Sequence, residues 1–255
     1  MTYNLQGKCI LIHGPPKIGK TQLASSFPAC QFIATESGHN YLPEVQRQIK
    51  IDISDGNDFK SIKIHPKAKT VVLDTVDGAY RKAKAAGCAK FKCFHPSDKG
   101  DYGRTVWNYI NDLFYTGFGE LVSMCGQREV TLILTAHTVA EELEIGALTV
   151  TKMSIGLAGQ AKQAVTPVPD HFWYLGYGNP EDTELTQSKE KARDLLKNWR
   201  DTRMLVIKGG ELIEAGTRDE SIVTSVICPL NKPDRKNKTG GYWQIIEELK
   251  TDQDK

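Results

Sequence analysis

One segment near the start of the chain has glycine, lysine and threonine at a spacing that is typical of phosphate-binding loops. The segment from Gly14 to Thr21, GPPKIGKT, matches the pattern G-x-x-x-x-G-K-[ST]. Glycines allow a backbone to wrap so that successive N–H groups point at phosphate oxygens. Lys20 can then reach the β and γ phosphates, and the Thr21 hydroxyl can bind Mg²⁺. The segment predicts a site for ATP and Mg²⁺ whose nucleotide contacts are Gly14, Pro15, Pro16, Lys17, Ile18, Gly19, Lys20, Thr21 and Gln22.

A carboxylate is expected beside this loop because the magnesium ion needs an acidic partner. Asp74 ends the apolar segment TVVLD (70–74), where a buried strand opens towards a ligand crevice. We therefore predict that Asp74 and Thr21 together bind the Mg²⁺ ion, and Asp77, one turn later, is a weaker candidate. The alternative is that Asp74 only caps the next helix, which is common for aspartate.

Two further polar side chains end apolar segments and could act on the γ-phosphate. Glu36, in FIATESG (32–38), could orient or deprotonate an attacking water. His137, in LTAHT (134–138), could hydrogen-bond to the γ-phosphate and report the state of the nucleotide. The predicted catalytic residues are thus Lys20, Glu36 and His137. The alternatives are a solvated loop glutamate and a histidine with a purely structural role.

The elements that must position these side chains alternate between strands and helices in the first half of the chain. Apolar segments predict strands at 8–13, 31–38, 69–75 and 129–138, with a first helix at 19–26. Alternating strands and helices indicate a parallel sheet that is covered on both faces. A long helix, which Asp101 could cap, is predicted from apolar residues at steps of three and four: Val106, Ile110, Leu113, Phe114, Phe118, Leu121, Val122 and Cys125.

The second half of the chain is predicted to be β-rich. Its apolar segments at 147–153, 170–177, 203–216 and 221–227 indicate antiparallel edge strands of the same sheet. Residues 189–200 and 242–250 are predicted helices, the second preceded by a flexible loop at 229–241. The fold class is therefore predicted as α/β, with a mostly parallel central sheet. We expect one domain over residues 1–255, with a basic insertion or loop at 80–104.

These segments together resemble the core of the RecA-type ATPases. GPPKIGKTQLA, FIATESG, TVVLDTVD and LILTAHT occur in the order of that family. The chain is most similar to the small phage-encoded RecA-like proteins of the single-strand annealing and recombination group. The resemblance implies that Lys20 and Thr21 hold phosphate and Mg²⁺ and that Glu36 is the catalytic carboxylate. It also implies that Asp74 is the acid beside the metal and that His137 senses the nucleotide, where many relatives have glutamine.

The resemblance further implies an assembly. Members of this family work as rings or filaments, with the nucleotide at a subunit interface, and a homo-oligomer is expected here. A basic residue completes the site in such assemblies, and Arg218 could contribute it in cis or in trans. One departure from the family is Gln22, which stands where threonine is frequent. A phage-encoded protein of this kind would act in the cytoplasm of the bacterial host.

Basic and aromatic residues alternate between Tyr80 and Arg104. Lysines and arginines neutralise phosphates, and aromatic rings offer bases a stacking face, so this segment predicts contact with single-stranded DNA. The alternative is a solvated helical face. Lys152 and Lys162 are further candidates, although the segment before them is acidic. The predicted DNA contacts are Lys82, Lys84, Lys90, Lys92, Phe91 and Phe94.

Cysteine usage and composition exclude several classes of protein. The chain has 255 residues and a net charge of only +2, so any nucleic-acid site must come from local clusters of basic residues. No apolar stretch is long enough to span a membrane, and the N-terminus does not resemble a signal peptide. The six cysteines are expected to be free thiols. Zinc binding by Cys88, Cys93 and His95 is a minor alternative, because the spacing suggests no fourth ligand.

Three functions are compatible with these features. The leading hypothesis is an ATP-hydrolysing protein that binds single-stranded DNA and promotes annealing or recombination. The second is a nucleotide-binding module of a replication or packaging assembly with little catalysis. The third is a small-molecule kinase, against which the absence of an arginine-rich lid segment argues.

Overall fold

Strands and helices alternate along the chain in the computed structural model, which describes residues 3–36, 49–53, 55–145, 148–157, 159–178, 203–210 and 212–249. The strands are β1 (Cys9–Gly14), β2 (Cys30–Ala34), β3 (Ile49–Asp52), β4 (Thr70–Asp74), β5 (Thr131–Ile145), β6 (Leu148–Ile155), β7 (His171–Tyr177), β8 (Arg203–Val206), β9 (Gly216–Thr217) and β10 (Val226–Ile227). The helices are α1 (Lys20–Ser25), α2 (Val76–Phe91), α3 (Arg104–Gln127), α4 (Gly159–Val165) and α5 (Gly241–Glu248).

The central sheet has the strand order β10-β8-β7-β1-β5-β4-β2-β3. Neighbouring strands from β7 to β3 run parallel to one another. Strands β8, β9 and β10 are antiparallel additions at one side. The predicted α/β fold, with a mostly parallel sheet and antiparallel edge strands, is thereby confirmed. Because parallel strands share their direction, the carboxyl ends of β1, β2, β4 and β5 meet at one edge.

Helices cover the two faces of the sheet and bury separate apolar clusters. Helices α2 and α3 pack on one face, and α1 and α5 pack on the other. The apolar stripe predicted for α3 faces the sheet, since Val106, Ile110, Phe114 and Leu121 are fully buried. The helix begins after Gly103, and the Asp101 carboxylate accepts the Thr105 N–H at 3.0 Å, so the aspartate does satisfy a donor of the first turn.

The segment 80–104 differs from the predicted insertion or loop. It is helical as far as Phe91, as part of α2, and a short 3-10 helix (Pro96–Asp98) leads on to α3. The physical reason is that small residues at helical spacing, Ala79, Ala83 and Ala86, pack against the core. The lysines between them therefore lie on a helix surface.

Other parts of the chain extend beyond their predicted limits or fall outside the description. Strand β3 was not predicted, and β5 continues past the expected end at residue 138 to pair with β6 as a long antiparallel hairpin. The predicted helix at 189–200 lies outside the described residues. Helix α5 begins one residue before the predicted 242–250 and follows an irregular segment at 228–240. Within the described ranges, none of the helices combines the length and the hydropathy that crossing a bilayer requires.

Candidate functional site

The loop between β1 and α1 lies at the carboxyl edge of the sheet. Gly14 ends β1 so close to β7 that a Cβ there would lie 2.2 Å from the carbonyl oxygen of Leu175, which only glycine avoids. Gly19 has a φ of 104°, in the left-handed region, and precedes the first turn of α1. Ile18 is 2% exposed and anchors the loop in the core. The predicted phosphate loop thus stands between a strand and a helix, as its chemistry requires.

Lys20 places a buried cation inside this loop. The residue is 6% exposed, and its ammonium donates to the carbonyl oxygens of Gly14 and Pro15, each at 2.8 Å. Burial lowers the pKa of Lys20, and the negative charges of Asp74, Asp77 and Glu36 oppose this. No carboxylate of the described residues lies within ion-pair distance of it. A buried ammonium that only neutral carbonyls satisfy fits a site that receives an anion.

Asp74 and Thr21 form a set of oxygen atoms beside Lys20. The Thr21 hydroxyl donates to one carboxylate oxygen of Asp74 at 2.9 Å, and the Thr135 hydroxyl donates to the other at 2.5 Å. Asp74 is only 6% exposed. A buried carboxylate next to a hydroxyl is the oxygen environment that Mg²⁺ prefers, so these residues fit the predicted metal site. The alternative role as a helix cap is wrong, because Thr75 is the residue that caps α2, accepting the Gly78 N–H at 3.1 Å.

Glu36 lies two residues beyond the end of β2, across the site from Lys20. Its carboxylate accepts the Thr75 hydroxyl at 3.3 Å and forms an ion pair with Arg81 of α2. Thr35 holds this corner together, since its hydroxyl donates to the Thr75 carbonyl at 2.9 Å and accepts the Thr75 N–H. Glu36 is therefore a held, half-buried carboxylate and not the solvated loop residue that was the alternative.

His137 forms a second polar pair, with Asp77. The Nδ1 atom lies 2.9 Å from one Asp77 carboxylate oxygen, and the His137 backbone N–H donates to the other at 3.2 Å. In the sheet, His137 is the direct neighbour of Gly14, so the ring stands beside the start of the phosphate loop. Asp77 is 7% exposed and takes the orienting position, not that of a metal ligand beside Thr21.

The charges of this pair support each other. The hydrogen bond with Asp77 raises the pKa of His137 against the opposing effect of burial. Burial raises the pKa of Asp77, but the bonds and charge of His137, together with Arg81, outweigh this and lower it. Glu36, Asp77 and His137 have ligand atoms within 4.8 Å of one another, so they could also hold a metal ion. Arg81 already pairs with Glu36 and Asp77 there, the latter at 3.5 Å, which disfavours a second cation.

The Asp77–His137 pair predicts a specific pH dependence. Replacing Asp77 with asparagine should lower the pKa of His137 to its ordinary value of 6.5 or below, because burial and the charge of Lys20 then act with less opposition. An NMR titration of the imidazole in both proteins measures this. The contribution of the pair to the free energy of unfolding should be largest between the ordinary pKa values of the two groups, 3.8 and 6.5. It should fall as the pH rises through the raised pKa of His137, and as the pH drops through the lowered pKa of Asp77. An unchanged pKa in Asp77→Asn would contradict the assignment.

Several residues singled out in the sequence lie away from this edge. Arg218 follows β9, where its N–H donates to the Asp170 carbonyl near the start of β1, so it cannot reach the phosphate loop of its own chain. Cys88, Cys93 and His95 do not belong to the single metal-capable group found within the described parts of the chain. The His95 ring instead accepts the Ser97 N–H and caps the 3-10 helix. All six cysteines are free thiols, as predicted.

Sequence reasoning missed the residues that hold the carboxylates of the site in position. Thr35, Thr75, Thr135 and Arg81 each bind one of the carboxylates or its neighbour. Thr35 and Thr75 directly follow β2 and β4, each next to a residue already singled out, and that position is a usable signal. Thr135 lies inside β5, two residues before His137. Arg81 had no such signal, because only the turn of α2 brings it to Glu36.

Comparison with known proteins shows the family to which the chain belongs. A family model described as an AAA domain matches residues 6–218, which include every site residue discussed above. The chain is also similar to an SPbeta prophage-derived uncharacterized protein, YorG, of Bacillus subtilis (strain 168). The two are 29% identical over 154 residues, which cover 54% of this chain and 43% of the relative. The chain thus spans less than half the length of that relative. The extent of the family match shows that the chain belongs to the AAA domain family, whose fold is that of the P-loop nucleotide-binding proteins.

Proposed function

We propose that this protein hydrolyses ATP in a Mg²⁺-dependent reaction and binds single-stranded DNA, and that it promotes annealing or recombination in the manner of RecA-like proteins. The observation that carries the proposal is the convergence at one sheet edge of a buried lysine, a hydroxyl–carboxylate pair and a separate held carboxylate. The first two bind a triphosphate and its metal, and only hydrolysis needs the third.

Each residue has a distinct task in the proposed reaction. Lys20 exchanges its carbonyl partners for the β and γ phosphate oxygens, and the loop N–H groups bind the remaining charge. Thr21 and Asp74 hold the Mg²⁺ ion, which when bound neutralises charge on the phosphates. Glu36 orients a water molecule and accepts its proton, while His137, held by Asp77, donates a hydrogen bond to the γ-phosphate.

The ion pair between Glu36 and Arg81 favours a second candidate function. The guanidinium occupies a carboxylate oxygen of Glu36 that would otherwise be open to an attacking water molecule. If the pair persisted when nucleotide is bound, the protein would bind ATP and turn it over slowly. That behaviour would suit the nucleotide-binding module of a replication or packaging assembly.

Steady-state ATP hydrolysis, measured with and without single-stranded DNA at two salt concentrations, tests the proposal. We expect hydrolysis that requires Mg²⁺ and that rises with single-stranded DNA, more strongly at low salt. Tight ATP binding with negligible hydrolysis under all conditions would favour the binding module. Transfer of the γ-phosphate to a nucleoside or nucleotide, in place of water, would favour the small-molecule kinase.

The proposed DNA surface follows the end of α2 and the connection to α3. Phe94 and Tyr102 are almost completely exposed, at 103% and 92%, which is unusual for aromatic rings, and Lys92 is exposed between α2 and Phe94. Phe91 differs from the prediction, since its ring packs edge-on against Tyr109 and is partly buried. Tyr102 is therefore the better second stacking residue.

Two of the predicted lysine contacts lie over aromatic rings of the same surface. The Lys84 ammonium is 5.4 Å from the Trp107 ring centre, and the Lys90 ammonium is 3.7 Å from that of Tyr109. These contacts hold both charges on the surface between α2 and α3. A surface of held cations and free aromatic faces suits flexible single strands better than duplex DNA, whose bases are already stacked.

Substitutions on this surface should separate stacking from charge. Phe94→Ala should weaken binding of a single-stranded oligonucleotide about tenfold without changing the salt dependence. Lys92→Ala should weaken binding of the oligonucleotide less than Phe94→Ala does. It should also reduce the slope of log affinity against log salt concentration by about one, which corresponds to one phosphate contact. Lys236→Ala, an exposed lysine on the segment before α5, is the control and should bind as the wild type does. Fluorescence anisotropy measures all three, and equal affinities would contradict the proposed surface.

The proposed assembly is a ring or filament of identical chains. A neighbouring copy would then supply a basic residue to the nucleotide, and ATP would favour the assembled, DNA-binding state. Light scattering with and without a non-hydrolysable ATP analogue measures the size of the particle. This part of the proposal rests on the family resemblance.

A further inference from the structure

Arg203 lies at the nucleotide edge of the sheet, on the side away from Glu36. It is the first residue of β8, which runs antiparallel to β7, so the start of β8 pairs with the end of β7. Leu175 pairs with Leu205 in the apolar core beneath α1, and Tyr177 pairs with Arg203 one step further out. Because alternate residues of a strand share a face, Arg203 and Tyr177 project on the same side as α1, just beyond the core.

The guanidinium of Arg203 contacts the phosphate loop itself. A Cβ placed on Gly19 would lie 2.8 Å from Nη1 of Arg203, and the same nitrogen is 3.5 Å from the side-chain oxygen of Gln22. Both residues belong to the turn where the loop enters α1. Among the residues that the structure describes, no carboxylate forms an ion pair with Arg203. Burial lowers the pKa of Arg203, because the charged guanidinium loses contact with water and no carboxylate compensates for this.

The strand order determines which end of a nucleotide Arg203 would meet. Strand β1, which leads into the loop, has β5, β4 and β2 on one side and β7 and β8 on the other. His137 lies in β5, Asp74 ends β4 and Glu36 follows β2. The γ-phosphate and the attacking water therefore belong to that side. The opposite side, which carries Arg203, is left for the α-phosphate and the nucleoside.

Tyr177 offers a face for the base on this same side. Its ring is 44% exposed although it ends a strand that is otherwise buried or half-buried. A tyrosine ring beside an arginine can stack on a purine or pyrimidine, and the cation strengthens binding of the phosphate next to it. The two side chains are therefore spaced as neighbours, one suited to a base and the other to a phosphate.

We propose that Arg203 and Tyr177 form the nucleoside side of the site, with Arg203 binding the α-phosphate and Tyr177 stacking on the base. This inference rests on the proposed nucleotide binding at the loop, and it assigns both residues to the same chain as Lys20. It predicts that the contribution of Arg203 is shared by ATP and ADP, since both carry the α-phosphate.

Isothermal titration with ADP and with a non-hydrolysable ATP analogue tests the role of Arg203. Arg203→Ala should weaken the binding of both nucleotides by about tenfold and leave the ratio of their dissociation constants unchanged. Arg203→Lys keeps the charge but loses the planar guanidinium, so its affinity for both nucleotides should lie between those of the wild type and Arg203→Ala. The matched control is Arg128→Ala. Within the described residues Arg128, like Arg203, has no carboxylate partner, and it donates to the backbone carbonyls of Ile64, His65 and Pro66 at the opposite edge of the sheet. It should bind both nucleotides as the wild type does, and thermal melts should show that all variants are folded.

Inorganic tripolyphosphate separates the phosphate contact from the base contact. Tyr177→Ala should weaken the binding of ADP and of the ATP analogue by about tenfold, and it should leave the binding of tripolyphosphate unchanged. Wild-type affinity in Arg203→Ala would overturn the inference, and so would a loss confined to the ATP analogue, which would move Arg203 to the γ-phosphate. In both cases weakened binding by Lys20→Ala would still support the nucleotide site. If the wild type bound neither nucleotide, the proposed function would fail as well.

Discussion

Lys20→Ala is expected to abolish measurable ATP hydrolysis and to weaken ATP binding by at least about 100-fold. The ammonium is buried and donates to two carbonyl oxygens of its own loop, so it is already in place for an incoming phosphate. Alanine leaves the loop N–H groups but removes the only formal positive charge inside the loop that is buried with them. Hydrolysis is measured by release of inorganic phosphate, and binding by titration with a fluorescent ATP analogue.

The control for Lys20→Ala is Lys69→Ala. Lys69 is exposed and precedes β4, at the amino edge of the sheet and away from the loop. It should retain the hydrolysis and binding of the wild type. A Lys20→Ala protein that is folded and binds ATP with undiminished affinity would contradict the role assigned to the loop.

Glu36→Gln is expected to lower kcat about 100- to 1000-fold while ATP binding persists. Glutamine keeps the size of the side chain and can still accept the Thr75 hydroxyl, but it cannot take a proton from water. It also loses the charge that Arg81 pairs with. Since the Arg81 side chain is 63% exposed, the loss of this ion pair should change stability little.

This substitution also decides between the two leading functions. An ATP-hydrolysing protein should accumulate bound ATP when Glu36 is replaced, which a filter-binding assay with labelled nucleotide detects. A binding module with little catalysis should change in neither respect. Glu120→Gln, at an exposed position of α3, is the matched control and should hydrolyse ATP at the wild-type rate.

The sequence was most informative where local chemistry and strand order agree. Gly14, Lys20 and Thr21 have a fixed spacing, and Asp74, Glu36 and His137 each end or closely follow an apolar run, so their residue types and positions predicted one shared edge. The alternation of strands and helices predicted the parallel sheet for the same reason. The apolar spacing in α3 also sufficed, because eight apolar residues at helical steps leave little choice of face.

Contacts between distant segments could not be predicted in the same way. Arg203 and Gly19 are separated by most of the chain, and only the antiparallel pairing of β7 with β8 brings them together. Arg81 belongs by sequence to the basic segment 80–104, and only the turn of α2 brings it to Glu36. The length of the β5–β6 hairpin depends on cross-strand partners, since an acidic run such as Glu141, Glu142 and Glu144 does not indicate a strand by itself.

The most direct test of the account is a crystal structure with Mg²⁺ and a non-hydrolysable ATP analogue. We expect the Lys20 ammonium to leave the carbonyl oxygens of Gly14 and Pro15 for the β and γ phosphates. We also expect Thr21 and Asp74 to hold the metal and Glu36 to face the γ-phosphate. A loop without nucleotide, in crystals where Lys20 keeps its two carbonyl partners at saturating analogue, would contradict it.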